Sequence, residues 1–533
     1  MDTPLPSIPF DNSYARLPEG FFARLDPTPV ASPRLLHLNA PLARALGLDP
    51  MALASTAGVE VLAGNDVPGG AEPLAMAYAG HQFGNWVPQL GDGRAILLGE
   101  VVDVAGVRQD IQLKGAGRTP FSRGGDGRAW AGPVLREYVV SEAMGALGVP
   151  TTRALAAVAT GEPVLREDGP LPGAVLTRIA RSHVRVGTFQ YFTARRDEAS
   201  VRALAAHVTA RHYPDTLQAD RPALALLDAV VRAQAALVAH WQSIGFVHGV
   251  MNTDNCSISG DTIDYGPCAF LDDYHPESVF SAIDVGGRYA YANQPHLAQW
   301  NVANFAQCLL PMMAAEEVAA SGATDDAATG TTSGTTTGAT DGTADGTTDG
   351  AEADYSEATR ERVIAAAQAS VDRFETLFAA ERTARFRAKL GLADERDDDV
   401  ALIDALLETM DAGSADFTLT FRTLEDDPAA TRALFAEPEA FDVWHARWRE
   451  RVADDPRGAD ARRAAMRATN PAVVPRNHTI ERMIRAFVED DDLAPLEELL
   501  ATLSDPFSAS ADDSALARPP APAERVTRTF CGT

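Results

Sequence analysis

The chain has 533 residues, 46% of them hydrophobic, enough to bury a sizeable core across roughly two to four domains. Its formal charge of −28 repels nucleic acid and anionic lipid, so neither is an expected partner. Only two of the 46 basic residues, Lys114 and Lys389, are lysines; many acids with almost no lysine point to a high-salt cytoplasm, although a GC-rich genome also favours arginine.

The opening stretch, "MDTPLPSIPFDNSYARLPEG", has no basic segment followed by an apolar core, so no signal peptide is expected. No unbroken run of about eighteen apolar residues predicts a membrane span, and a cytoplasmic location is the expectation. Residues 1–75 are Pro-rich and read as an N-terminal extension wrapping a larger domain. "AILLGEVV" (95–102) and "QDIQLKG" (109–115) read as two strands of a hairpin. "GPVLREYVVSEAMGALG" (132–148) has helical spacing, "GAVLTRIA" (173–180) reads as a strand, and helices are expected over 199–212 and 222–244. "CSISGDTIDYG" (256–266) reads as a hairpin turning at Gly260–Asp261. Residues 321–354 carry almost no large apolar side chain and are predicted to be a disordered insert. Amphipathic helical patterning returns over 356–505, and the last stretch reads as extended.

Several motifs along this order carry chemistry. "GDGR" offers Gly91 and Gly93, which let backbone approach a phosphate or base, and Arg94; by itself it reads better as an ordinary hairpin turn. Lys114 ends the second strand and has Glu137, early in the next helix, as its expected ion-pair partner. "GAGRTPFSRGGDGR" (115–128) follows, glycine-rich with three arginines, a combination suited to a polyphosphate. "TRIARSHVR" (177–185) adds Arg178 and Arg185, both able to face one anion, while Arg181 reads as a surface residue. "HGVMNTDN" (248–255) and the "DYG" that begins at Asp264 are similar to the catalytic and metal loops of protein kinases, with His248 and Asn255 at the outer positions. The kinase base position is Val250, which takes no proton, so Asp254 is the candidate base or else supports the loop. Asn255 and Asp264 supply two oxygen donors that suit a hard cation completed by substrate phosphates.

The chain apart from the insert resembles the selenoprotein O family of protein adenylyltransferases. The resemblance rests on "AGHQFGNWVPQLGDGRAILLGE", "LKGAGRTPFSRGGDGRA", "LREYVVSEAM", "GVPTTRAL", "GFVHGVMNTDNCSI", "DYGPCAFLDDY", "GRYAYANQP" and "NPAVVPRN". It implies an α+β, protein-kinase-like fold in which ATP is bound inverted and AMP passes to Ser, Thr or Tyr hydroxyls of proteins. It also implies Asp254 as proton acceptor, and Asn255 and Asp264 as ligands of Mg2+ or Mn2+. Gly91, Gly93, Arg94, Lys114, Asp126, Gly127, Arg178, Arg185 and Asp264 would hold the nucleotide, with Glu137 pairing Lys114. Residues 76–190 would then form an N-lobe, 191–320 a C-lobe, 355–510 a helical region and 511–533 a tail. The family's C-terminal C-x-x-U or C-x-x-C motif is broken, since Arg528 stands where its first cysteine would be and Cys531 is alone. The four cysteines form no C-x-x-C, so no zinc site or disulfide framework is indicated. A phosphotransferase and a non-catalytic ATP-binding scaffold are the rival readings, and UMP is an alternative donor group.

Overall fold

The computed structural model describes residues 5–167, 169–321, 355–453 and 455–530. The predicted insert, beyond Ser321, and Cys531 lie outside the described residues. Twelve strands occur among those described: β1 (Phe22–Arg24), β2 (Arg34–Leu38), β3 (Leu74–Met76), β4 (Gly80–Gln82), β5 (Asn85–Val87), β6 (Ala95–Val102), β7 (Arg108–Lys114), β8 (Ala129–Trp130), β9 (Arg153–Arg166), β10 (Gly169–Ala180), β11 (Phe246–Val247) and β12 (Ala269–Phe270). The main sheet runs β1-β3-β6-β7-β10-β9-β2, with β8 added on β10. Its pairings are antiparallel. The N-terminal segment supplies both edge strands, so the described part of the predicted extension, residues 5–75, contributes strands to the sheet.

The predicted hairpin forms as β6–β7, seven to eight residues a side and nearly continuously buried. Alternation along strands then sets up the site. Lys114 lies opposite Leu176 and Gln112 opposite Arg178, so Gln112, Lys114 and Arg178 share one face. The helix Ala131–Ala146 covers that face and buries twelve of its sixteen residues. It is buried nearly all round because the sheet packs on one side and the helices Asn477–Asp490 and Ala494–Leu503 on the other. One core joins the sheet face, this helix, the helix Pro222–Ser243 and the C-terminal helices; a second lies around Trp444 and Trp448. The result is a mixed α/β chain with an antiparallel sheet and a large helical portion.

Two expectations change. Residues 256–266 do not form a hairpin. Ser257 bridges Arg185 and Thr262 bridges Thr151, while the Asp261 carboxylate is held by Arg181 Nε at 3.0 and 3.1 Å. Gly260 does turn the chain, at φ +77°, but each arm finds its backbone partner in another segment. Arg181 therefore clamps a buried carboxylate in place of a purely surface role. In addition, the helix Pro222–Ser243 is long and apolar enough by length and composition to cross a membrane, although the charges inside it break any unbroken apolar run. Its apolar face packs on the helices Gln294–Ser321 and Glu357–Lys389.

Candidate active site

A cleft of about 480 Å³ lies between the sheet and the loops after β11. The twelve residues singled out in the sequence, from Gly91 to Asp264, all line it.

At its inner end, Glu137 is buried and accepts from Lys114 Nζ at 2.5 Å and from Arg178 Nε at 2.8 Å. Asp264 accepts from Lys114 at 3.1 Å and from Arg178 at 2.7 Å, and its other oxygen lies 3.6 Å from Arg185. Burial pushes both carboxyls up, but the neighbouring cations outweigh it and hold both below the usual carboxylate range, Asp264 well below. Asp264 is also one of few non-glycine residues with positive φ, at +64°. This strained conformation is held because the loop around it is pinned. Arg136, next to Glu137, donates to the carbonyls of Gly266 and Cys268 and to Asn477 Oδ1 at 2.7 Å. His248 donates from Nε2 to the Ile263 carbonyl at 2.9 Å, while its Nδ1 accepts from the Val250 N–H. Burial pushes its pKa down and keeps it neutral, a structural tie between the two loops.

Asp254 sits in a short 3-10 turn, Thr253–Asn255. Its Oδ2 is 3.4 Å from Gln82 Nε2, and its buried Oδ1 has no hydrogen-bond partner. Burial pushes its pKa up to about 6, against the pull of Arg185. Asn255 donates its amide N–H to the Val250 carbonyl at 3.0 Å, which leaves its Oδ1 for another partner. Val250 lines the cleft as an inert wall.

The glycine-rich stretches meet each other first. Gly91, at φ +80°, has no room for a Cβ, which would lie 2.3 Å from the Phe121 ring; one on Gly93 would lie 2.9 Å from the Phe121 carbonyl. Segment 115–128 therefore folds down onto "GDGR". Arg118 donates to the carbonyls of Gly124 and Gly125, and Arg128 to those of Thr28 and Pro29, so two of its three arginines hold backbone. Arg123 remains on the cleft wall, beside Arg94 and an Asp126–Arg166 pair at 2.8 Å.

Sequence reasoning passed over Asp92, the centre of "GDGR". It is buried and accepts from Gln112 Nε2 and the Met76 N–H, each at 3.2 Å, with Arg185 3.5 Å away. Arg185 also lies over the Tyr78 ring at 4.3 Å. An acid between two glycines was the available signal; its burial and its arginine partner, 93 residues on, were not legible. Gln82 was likewise missed, lying 172 residues from Asp254 in sequence.

The inner residues contain three cations, Lys114, Arg178 and Arg185, against three carboxylates, Glu137, Asp264 and Asp92. No group of three metal-ligating His, Cys, Asp or Glu residues occurs among those described. Such a site fits a divalent cation whose remaining ligands come from the bound phosphates, with Asp264 and the Asn255 carbonyl as its protein donors.

A family model described as protein adenylyltransferase SelO matches residues 4–504. Proteins named protein nucleotidyltransferase YdiU, from Rhodopseudomonas palustris strain BisB18 and Bradyrhizobium sp. strain BTAi1, are each 56% identical to this chain over 531 residues, 99% of either sequence. One from R. palustris strain BisB5 is 55% identical over 532 residues.

Proposed function

We propose that this chain, which belongs to the protein adenylyltransferase SelO family, transfers AMP from ATP to hydroxyl groups of proteins and releases pyrophosphate. One observation carries the reading within the cleft. Asp254, four residues after the kinase base position, is buried, with a free oxygen and a pKa of about 6, while position 250 is valine. A base with that acidity is matched to accepting a proton near neutrality.

The fold is read as kinase-like: a lysine on an inner strand pairs with a glutamate on the covering helix, and a catalytic-type loop and D-x-G loop follow the long helix. The Ser, Thr or Tyr hydroxyl of an acceptor attacks the α-phosphorus, and the bond from the α-phosphorus to the bridging oxygen breaks. The hydroxyl proton goes to Asp254. Asn255 and Asp264 would hold Mg2+ or Mn2+, which would supply charge neutralisation at the phosphate oxygens. Lys114, Arg178 and Arg185, balanced in the cleft by Glu137, Asp264 and Asp92, would donate to the phosphate oxygens, and Arg94 and Arg123 would line the rest of the tail. Gly91, Gly93, Asp126 and Gly127 shape the wall beside it.

Side-by-side incubation with α-³²P-ATP and γ-³²P-ATP tests the proposal. Label from the α position should appear on protein. Transfer of the γ-label alone would make the enzyme a phosphotransferase, and binding without transfer of either label would make it a scaffold.

A further inference from the structure

The β4–β5 hairpin has two differently used faces. On one, Gln82 reaches Asp254, and the N–H groups of His81 and Phe83 donate to Thr253 Oγ1 at 2.8 Å and Asn252 Oδ1 at 3.0 Å. On the other, the His81 ring lies 5.0 Å from Trp86 and 5.3 Å from Trp300. Arg288 continues this aromatic surface, its guanidinium 5.1 Å from the Trp300 ring. The carboxylate nearest to it in sequence, Asp284, is taken by the backbone N–H groups of Arg288 and Tyr289. Arg288 Nε is buried and has no hydrogen-bond partner among the described residues. A cavity of about 490 Å³ opens here, lined by Arg288, Asn293, His296, Leu297 and Trp300. Trp86, packed with Trp300 on the same His81 ring, is 40% exposed.

In a chain of charge −28, an arginine without a carboxylate partner among the described residues, beside an exposed aromatic side chain, is not a solubility feature. We propose that this face docks the acceptor protein: an extended segment crosses Trp86 and Trp300, and an Asp or Glu side chain on it pairs with Arg288. Charge complementarity selects the acidic residue, since a guanidinium on an aromatic face accepts a carboxylate in its plane. The Arg288 guanidinium packs at the turn of the hairpin, 3.6 Å from where a Cβ on Gly84 would lie, two residues from the Gln82 that touches Asp254, so the acceptor hydroxyl is set near that acid in the segment. The inference rests on the AMP-transfer reading for its role, but its test reads binding.

Two short fluorescein-labelled peptides, each with one serine flanked by glutamates in one and lysines in the other, are titrated into the full-length protein with Mg2+ and a non-hydrolysable ATP analogue. The acidic peptide should bind roughly tenfold tighter, against the protein's overall field. Arg288→Glu should reverse the order and Trp86→Ala weaken both peptides, while calorimetry shows unchanged affinity for the ATP analogue in both variants. Equal or tighter binding of the lysine peptide by the unaltered protein overturns the proposal, as does an order unmoved by Arg288→Glu. A concentration-dependent dimer lost in Arg288→Glu gives the face to a second copy and also overturns it. Arg288-dependent binding of the acidic peptide with no α-label transfer supports the docking face and refutes AMP transfer instead.

Discussion

Asp254 and Asp264 line one cleft, yet their surroundings drive their acidities apart. Asp264 meets three cations and stays ionised; Asp254 is desolvated with one weak hydrogen bond. The two substitutions should therefore separate. Asp264→Ala is expected to weaken metal-dependent ATP binding, whereas Asp254→Ala spares binding and lowers transfer by roughly 10²–10⁴-fold, the usual contribution of a general base. Calorimetry with Mg·ATP and α-label transfer, run in parallel, check this; equal loss of ATP affinity in both would remove Asp254 from the base role. The acidity also sets a pH profile. kcat/KM should rise with pH through an apparent pKa near about 6, and a profile flat from pH 5 to 8 would contradict it. Stability follows with the opposite sense. The folded pKa lies above the ordinary value of 3.8, so the folded state binds the proton more tightly, and the benefit present below pH 4 is lost as pH rises through about 6. Asp254→Asn should thus raise Tm at pH 7–8, with the gain shrinking towards pH 4.

At the level of elements, the Gly91 loop and the helix Glu357–Lys389 make contrasting cases. Gly91 combines positive φ with direct packing on Phe121, so Gly91→Ala combines backbone strain with a clash. It should cost about 1–3 kcal/mol in chemical denaturation and displace the 115–128 segment. Lys389 ends its helix fully buried, its ammonium 4.3 Å from the Phe421 ring and 5.6 Å from the Phe417 ring. Burial pushes its pKa down to about 7. A lysine whose folded pKa is depressed stabilises the fold above the ordinary value of 10.5 and loses that contribution as pH falls towards 7. Lys389→Met, which removes the desolvated ammonium, is expected to stabilise the protein by about 1–4 kcal/mol at pH 7 and less at pH 10. A loss of stability at pH 7 would show that the aromatic contacts outweigh desolvation. The two lysines thus stand in unlike places, one beside the carboxylates of the cleft and one among phenylalanines.

Across the whole molecule, a charge of −28 destabilises the compact state by self-repulsion, which salt screens over about 10 Å at 0.1 M and 3 Å at 1 M. Tm should rise between 0.1 and 1 M KCl; a fall would mean that local ion pairs such as Arg178–Glu137 dominate the global field. The order of strand, lysine, helix, glutamate, long helix and D-x-G loop was legible in the sequence, because periodicity, turn residues and chain order are local properties. The same holds for the substitution at Val250 and for the residues of the cleft. Partner choice was not local. Whether Arg181 holds a buried aspartate, or Arg185 the carboxylate of Asp92, depends on segments brought together from 80 and 93 residues away. The turn at Gly260 was foreseen but its pairing was not, since backbone donors on both arms had better-placed acceptors in other parts of the chain. Local pattern and the family resemblance marked the candidate residues and their chemistry; only tertiary packing decided which charges are neutralised and which carboxylate is desolvated, because those outcomes depend on burial and distance, not on neighbouring residues in the sequence.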